Sequence, residues 1–266
     1  MRSANKAFTP QSSRQEKIFL EGPNSRWSEL VFLFDVLREF VSGFRKLHFV
    51  GPCITVFGSA RFGEHHKYYE MTRLLAGRLA KAGFTILTGG GPGVMEAANK
   101  GAQEAGGRSV GCNIKLPVEQ DHNKYLDRWV TVNYFFVRKV LLTKYSCAFV
   151  VMPGGYGTLD EFFEAITLIQ TGKVKRFPVV LMGKEYHREL YDHLLHMAEE
   201  KTIAPEDLEL FLFTNSIDEA VAHIRNIIHG DLKDNRKMHA YRPWGILGER
   251  TFRHKKAGVD KAHIAG

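Results

Sequence analysis

The chain has 266 residues, 44% hydrophobic and 25% charged, enough for one large α/β domain with a sizeable core. Of its formal charge of +8, residues 231–266 carry +5 and residues 1–25 carry +2; the +1 left on the body between them gives no basic docking face and disfavours nucleic acid as a partner. No apolar leader and no run approaching ~18 apolar residues is present, and Cys53, Cys112 and Cys147 lack CxxC or metal-ligand spacing, so a cytoplasmic protein with reduced core cysteines and no membrane partner is expected.

Residues 1–22 are polar and aperiodic and read as a flexible N-terminal segment. The domain proper is expected over 23–230. It opens with a helix capped by Asn24 or Ser25 and running to about Leu47, with Trp27, Leu30, Val31, Phe34, Leu37, Val41 and Phe44 on a stripe suited to covering the core or a partner subunit. From Cys53 onward, strand and helix patterns alternate. CITVFGSA reads as a strand and glycine turn, Tyr68 to Ala82 as a helix closed by Gly83, FTILTGGGPG as a second strand and turn, and Gly93 to Glu104 as a helix. RSVGCNI and WVTVN are strands separated by a polar loop, LPVEQDHNKYLDR, and Phe135 to Tyr145 is a helix.

Cys147 to Met152 is a short apolar strand that Pro153 ends, because proline has no N–H for the ladder. Gly154, Gly155 and Gly157 turn the chain into a helix starting at Thr158, with Leu159, Phe162, Phe163, Ile166 and Ile169 at helical spacing and Gly172 placed to end it. The strand FPVVLM, a helix from about Tyr186 to Glu199, a short FLFT strand and a helix from Ile217 to about Ile228 follow, and 231–266 is a basic tail. Strands joined by crossover-length helices predict a doubly wound, mostly parallel sheet of about seven strands, a Rossmann-like single domain that binds ligands outside the carboxyl ends of its strands.

Three of those strand ends are unusual: Gly58-Ser59-Ala60-Arg61, Gly89 to Gly93, and Pro153 to Thr158. A glycine loop feeding a helix N-terminus gathers unpaired N–H donors and the positive end of the helix dipole, and so suits a phosphate. The bland alternative is a set of tight strand-to-helix turns. Dinucleotide spacing fails, since the third glycine of G-x-G-x-x-G would fall on Val94 or Asp160, and no G-x-x-x-x-G-K-[ST] is present. A mononucleotide or sugar phosphate fits better than NAD or ATP.

Glu161 has two readings: the last residue of a Thr158-Leu159-Asp160-Glu161 capping box, or a carboxylate set beside the anion site to stabilise a sugar cation or orient a water. Arg138 shares a helix face with Phe135, Leu142 and Tyr145, which calls for a fixed anionic or planar partner, the alternative being a structural salt bridge to Glu161. Lys139 faces elsewhere, toward solvent or an interface.

The run Gly89-Gly90-Gly91-Pro92-Gly93-Val94-Met95-Glu96-Ala97-Ala98, the Arg138-Lys139 pair and Pro153 to Glu161 resemble the signature of the LOG (LONELY GUY) family, formerly labelled putative lysine decarboxylases. The resemblance spans about Ile54 to Ile228. It implies a phosphoribohydrolase that releases the base from cytokinin riboside 5′-monophosphates or AMP, with Arg138 and Glu161 catalytic. Ser59, Gly90, Gly91, Gly93, Gly154, Gly155, Gly157 and Thr158 would hold phosphate and ribose, and Met95, Glu96 and Lys139 are further candidates. No cofactor or metal is implied, and the assembly would be a homodimer or larger homo-oligomer. The long N-terminal helix, Glu96, the Phe135-Phe136-Val137 approach to Arg138 and the tail resemble the longer bacterial branch, where AMP nucleosidase activity is commonly assigned. A noncatalytic carrier of nucleotide or molybdenum cofactor is the rival reading. No lysine sits in either glycine loop to carry a pyridoxal Schiff base, which disfavours amino-acid decarboxylation.

Overall fold

The structure, a computed structural model, describes residues 16, 19–115, 122–175 and 177–234. The basic tail beyond Asp234 and most of the N-terminal segment lie outside these residues. Seven parallel strands form one sheet: β1 (Cys53–Phe57), β2 (Thr85–Thr88), β3 (Ser109–Ile114), β4 (Arg128–Val132), β5 (Ser146–Val151), β6 (Val179–Met182) and β7 (Leu212–Thr214), in spatial order β4-β3-β2-β1-β5-β6-β7. The chain lays down β1 to β4 in one direction, then returns to place β5 on the other side of β1. The order therefore reverses between β1 and β5, where a doubly wound sheet opens a crevice.

Helices cover both faces. Toward one lie α1 (Arg26–Leu47), α4 (Phe135–Tyr145), α5 (Tyr156–Gln170) and α6 (Arg188–Glu199), meeting the sheet through Leu47, Val137, Leu141, Phe162 and Leu194. Toward the other lie α2 (Lys67–Lys81), α3 (Val94–Glu104) and α7 (Ile217–Asp234), through Leu75, Leu79, Ala98 and Ile224. The central strands β1, β2 and β6 are buried at every residue, which is why they read as continuous apolar runs. Among the described residues no helix is long and apolar enough to cross a membrane.

Helix α1 forms as expected, but of the two uses expected for its apolar stripe, covering the core is not the one observed. Ser25 caps it, its Oγ accepting from the Ser28 N–H at 3.2 Å. The face meeting the core is Phe32, Val36, Phe40, Gly43 and Leu47, while the predicted stripe points outward, with Trp27 73% and Phe34 64% exposed. Both faces are apolar, and the richer one is uncovered. Glu16 and Phe19, inside the segment read as flexible, touch the body: Glu16 accepts from the Phe135 N–H at 3.0 Å and Phe19 stacks on Phe32.

Candidate active site

A cavity of about 620 Å³ opens at the carboxyl ends of β1 and β5, at the reversal of strand order. Phe57 to Phe62 form one wall, Gly154 to Thr158 with Glu161 another, and Gly89, Met95, Arg138 and Tyr186 close it. Arg138, Glu161, Ser59, Met95, Gly154, Gly155, Gly157 and Thr158, all singled out from the sequence, thus face one space.

Helix α5 begins at Tyr156, two residues earlier than the sequence suggests, with an extended Gly155 as its N-cap. Thr158 lies inside the first turn, its N–H turned back to the Gly155 carbonyl at 3.0 Å, so no capping box exists and Glu161 is not a cap residue. Among the described hydrogen bonds, the N–H groups of Gly155, Tyr156 and Gly157 have no acceptor. They are the orphan donors of a helix start, aimed where an anion would sit. The loop is pinned from both sides: the Ser59 N–H donates to the Pro153 carbonyl at 3.0 Å, and the Tyr186 hydroxyl donates to the Gly154 carbonyl at 2.9 Å.

The other glycine turn plays a different part, and Gly90, Gly91 and Gly93 are absent from the cavity lining. The Gly90 N–H, expected to hold phosphate, is committed to Thr88 Oγ1 at 2.9 Å. The Gly90 and Gly91 carbonyls accept from the main chain and side chain of the buried Asn123. Gly93 has a φ of +69°, and a Cβ there would meet the Ser59 carbonyl oxygen at 2.5 Å. The turn therefore seats the loop after β1 on the start of α3, where the Val94 N–H bonds the Ser59 carbonyl at 3.0 Å. Its direct contribution to the cavity is Gly89 and Met95.

Arg138 is fixed by its Nε–H, which donates to the Cys112 carbonyl at 3.0 Å and leaves the terminal guanidinium nitrogens for the cavity. No ion pair joins it to Glu161 among the described contacts, so the salt-bridge reading is set aside. Two carboxylates hold the start of its helix: Glu16 at the Phe135 N–H, and Glu39 at both the main-chain and side-chain amides of Asn133. Acids at a helix N-terminus also suit its dipole.

Glu161 is buried, and burial pushes its carboxyl up to about 7, with nearby Arg138 opposing the rise. A carboxylate that titrates near neutrality beside an arginine and an anion cradle can serve as an acid–base or charge-stabilising group. Lys139 and Glu96 lie outside the lining. Lys139 binds Asp160 and Glu164, and Glu96 accepts from the Tyr69 hydroxyl at 3.2 Å.

Arg61, Phe62, Gly89 and Tyr186 line the cavity without having been singled out individually. The strand ends carrying Arg61 and Gly89 stand out in the sequence. Tyr186 does not, since it reads as the first residue of a helix that in fact begins at Arg188.

Residues 95–224 match a family model described as possible lysine decarboxylase. The chain is 30% identical over 177 residues to a cytokinin riboside 5′-monophosphate phosphoribohydrolase of Rhodococcoides fascians, spanning 65% of this chain and 89% of that protein. A protein of the same name from Mycobacterium tuberculosis is 27% identical over 181 residues, spanning 66% and 95%. Among solved structures, the molybdenum cofactor binding protein of Rippkaea orientalis superposes with a TM-score of 0.51 at 23% identity over 66% of this chain and 97% of that one, which is a likeness of fold. The Moco carrier protein of Chlamydomonas rheinhardtii gives 0.50 at 26% identity over 67% and 98%. The family-model match and the phosphoribohydrolase relatives, whose own length is almost wholly spanned, place the chain in the LOG family.

Proposed function

We propose that the protein hydrolyses the N-glycosidic bond of a purine nucleoside 5′-monophosphate, AMP or a cytokinin riboside 5′-monophosphate, giving free base and ribose 5-phosphate. The observation that carries this reading is the convergence in one cavity of unpaired N–H groups at a helix start, a fixed arginine and a buried carboxylate titrating near neutrality. The names of the relatives point to the same chemistry.

The 5′-phosphate rests on the N–H groups of Gly155, Tyr156 and Gly157, with Ser59 and Thr158 hydroxyls beside it, and this anchors the ribose. Ionised Glu161 stabilises the sugar cation that develops as the C1′–N bond lengthens, or takes a proton from the water that attacks C1′. Water supplies hydroxyl to C1′ and, in net terms, a proton to the leaving base. Arg138 holds the ribose hydroxyls or meets charge growing on the base.

The outward apolar face of α1 supports a homodimer or larger homo-oligomer, and the reduced cysteines fit a cytoplasmic setting.

Incubation with AMP, other nucleoside monophosphates, isopentenyl-AMP and the matching unphosphorylated nucleosides, followed by chromatography of free base, tests the reading. Release from a 5′-monophosphate and not from its nucleoside is the expected result. Tight nucleotide binding with no release would point to a carrier instead, and equal cleavage of nucleosides would remove the phosphate cradle from the account.

A further inference from the structure

Asp160, Glu161 and Glu164 put three acids into five residues of α5, with Glu161 and Glu164 on one side of the helix at i and i+3. The neighbour across from them is Lys139, one residue beyond Arg138 on α4. Its Nζ lies 3.0 Å from Asp160 and 2.8 Å from Glu164. At about 100° per residue, consecutive helical positions face different ways. Arg138 and Glu161 line the cavity, while Lys139, Asp160 and Glu164, none of which lines it, join the same two helices beside it.

We infer that Lys139 is a positioning residue: by pairing with the two carboxylates that flank Glu161, its ammonium locks α5 to the Arg138 helix and shields Glu161 from their charge. The inference rests on reading Glu161 as the working carboxylate. The charged groups facing Glu161 are Arg138 and Lys139 from α4, Asp160 and Glu164 from its own helix, and Arg61 across the cavity. Arg138 and Lys139 draw its titration down, and Glu164 and Asp160 drive it up. Half-buried as it is, the Lys139 ammonium is screened less than a surface charge would be. Without it, two carboxylates would repel the ionised form of a group already near neutrality, and the two helices would lose the ion pairs that join them.

The test is the titration of the Glu161 carboxyl by carbon NMR in the full chain, its signal assigned by its loss in Glu161→Gln. This readout does not require turnover. Lys139→Met is expected to raise the midpoint by roughly one pH unit, the order expected for one charge removed a few ångströms away. Lys139→Arg should hold the midpoint near its original position. Adding Asp160→Asn and Glu164→Gln to Lys139→Met should bring it back down. The acid limb of base release should move with the midpoint, so that kcat falls about tenfold well below it and recovers in alkali. A folded Lys139→Met protein with an unmoved Glu161 midpoint would overturn the inference. Should that variant not fold, Asp160→Asn/Glu164→Gln with Lys139 intact must lower the midpoint, and an unchanged midpoint there overturns it equally. A wild-type protein that releases no base would remove the proposed activity, while the NMR titration would still decide the role of Lys139.

Discussion

Gly89 and Arg138 share one space: a Cβ on Gly89 would lie 2.0 Å from Arg138 Nη2. Gly89 has no positive φ, so alanine there is compatible with the backbone, and the clash falls on the far ends of two flexible side chains, Arg138 and Met95, whose Sδ would lie 2.7 Å from the same Cβ. Gly89→Ala is therefore expected to fold with at most about 1 kcal/mol of lost stability while displacing the guanidinium, lowering kcat/KM by roughly 100-fold. Gly93→Ala should behave in the opposite way. Its left-handed backbone and the Ser59 carbonyl at 2.5 Å put the cost on the fold, about 2 kcal/mol or more. Paired melting curves and rate measurements separate the two; an active Gly89→Ala enzyme would show that Arg138 need not stay where it is.

The sheet was legible because its central strands are buried on both sides and its turns are punctuated by glycine and proline, local signals that survive in one sequence. The site was legible only in part. Thr158 is a better N-cap by propensity than Gly155, yet the extended Gly155 takes that position, which a sequence pattern could not reveal. The loss of the Gly90 N–H to Thr88, and the hold of Asn123 on the same turn, depend on contacts between distant segments. Periodicity likewise identified the apolar stripe of α1 but could not choose between the core and an outward position, because Phe32, Val36 and Phe40 on the opposite face compete for the core.

Glu161→Gln should stabilise the protein against unfolding in alkali while removing activity. The folded carboxyl titrates at about 7, above its ordinary 4.5, so the folded state holds a proton that the unfolded chain has lost between these values. Stability tied to this group is full below the unfolded value and falls as pH rises through the folded one. Glutamine removes that loss, for a gain of at most about 3 kcal/mol above neutrality and little in acid. Denaturant titrations of both proteins across pH check this; a difference that grows toward acid contradicts the assigned direction.

Tyr186→Phe removes the hydroxyl donor from the Gly154 carbonyl and leaves the ring in place. A single hydrogen bond of about 1 kcal/mol is at stake, and the carbonyl it serves belongs to the loop offering the phosphate donors. KM for a nucleoside monophosphate is expected to rise about fivefold, with kcat changed less than twofold. An equal fall in kcat with KM unchanged would instead place Tyr186 in the transition-state contacts.

The outward face of α1 carries Trp27, Leu33, Phe34 and Leu37, each more than half exposed, and Phe135, Phe136 and Phe163 add exposed rings from α4 and α5. Large apolar side chains left on the surface of α1 and of α4, which packs against it, are the kind of patch that an interface between copies covers, a stable one burying about 800 Å² per partner. Charge does not argue against self-association, since the body between the two tails carries only +1. Phe34→Glu or Leu37→Glu would place a carboxylate inside such an interface without touching the core face of the helix. Sedimentation velocity should show the wild-type protein as a dimer or larger and these variants as folded monomers, because a buried unpaired charge costs several kcal/mol per copy and appears twice in a symmetric contact. A wild-type protein that stays monomeric at tens of micromolar would show that this face does not join copies of the chain.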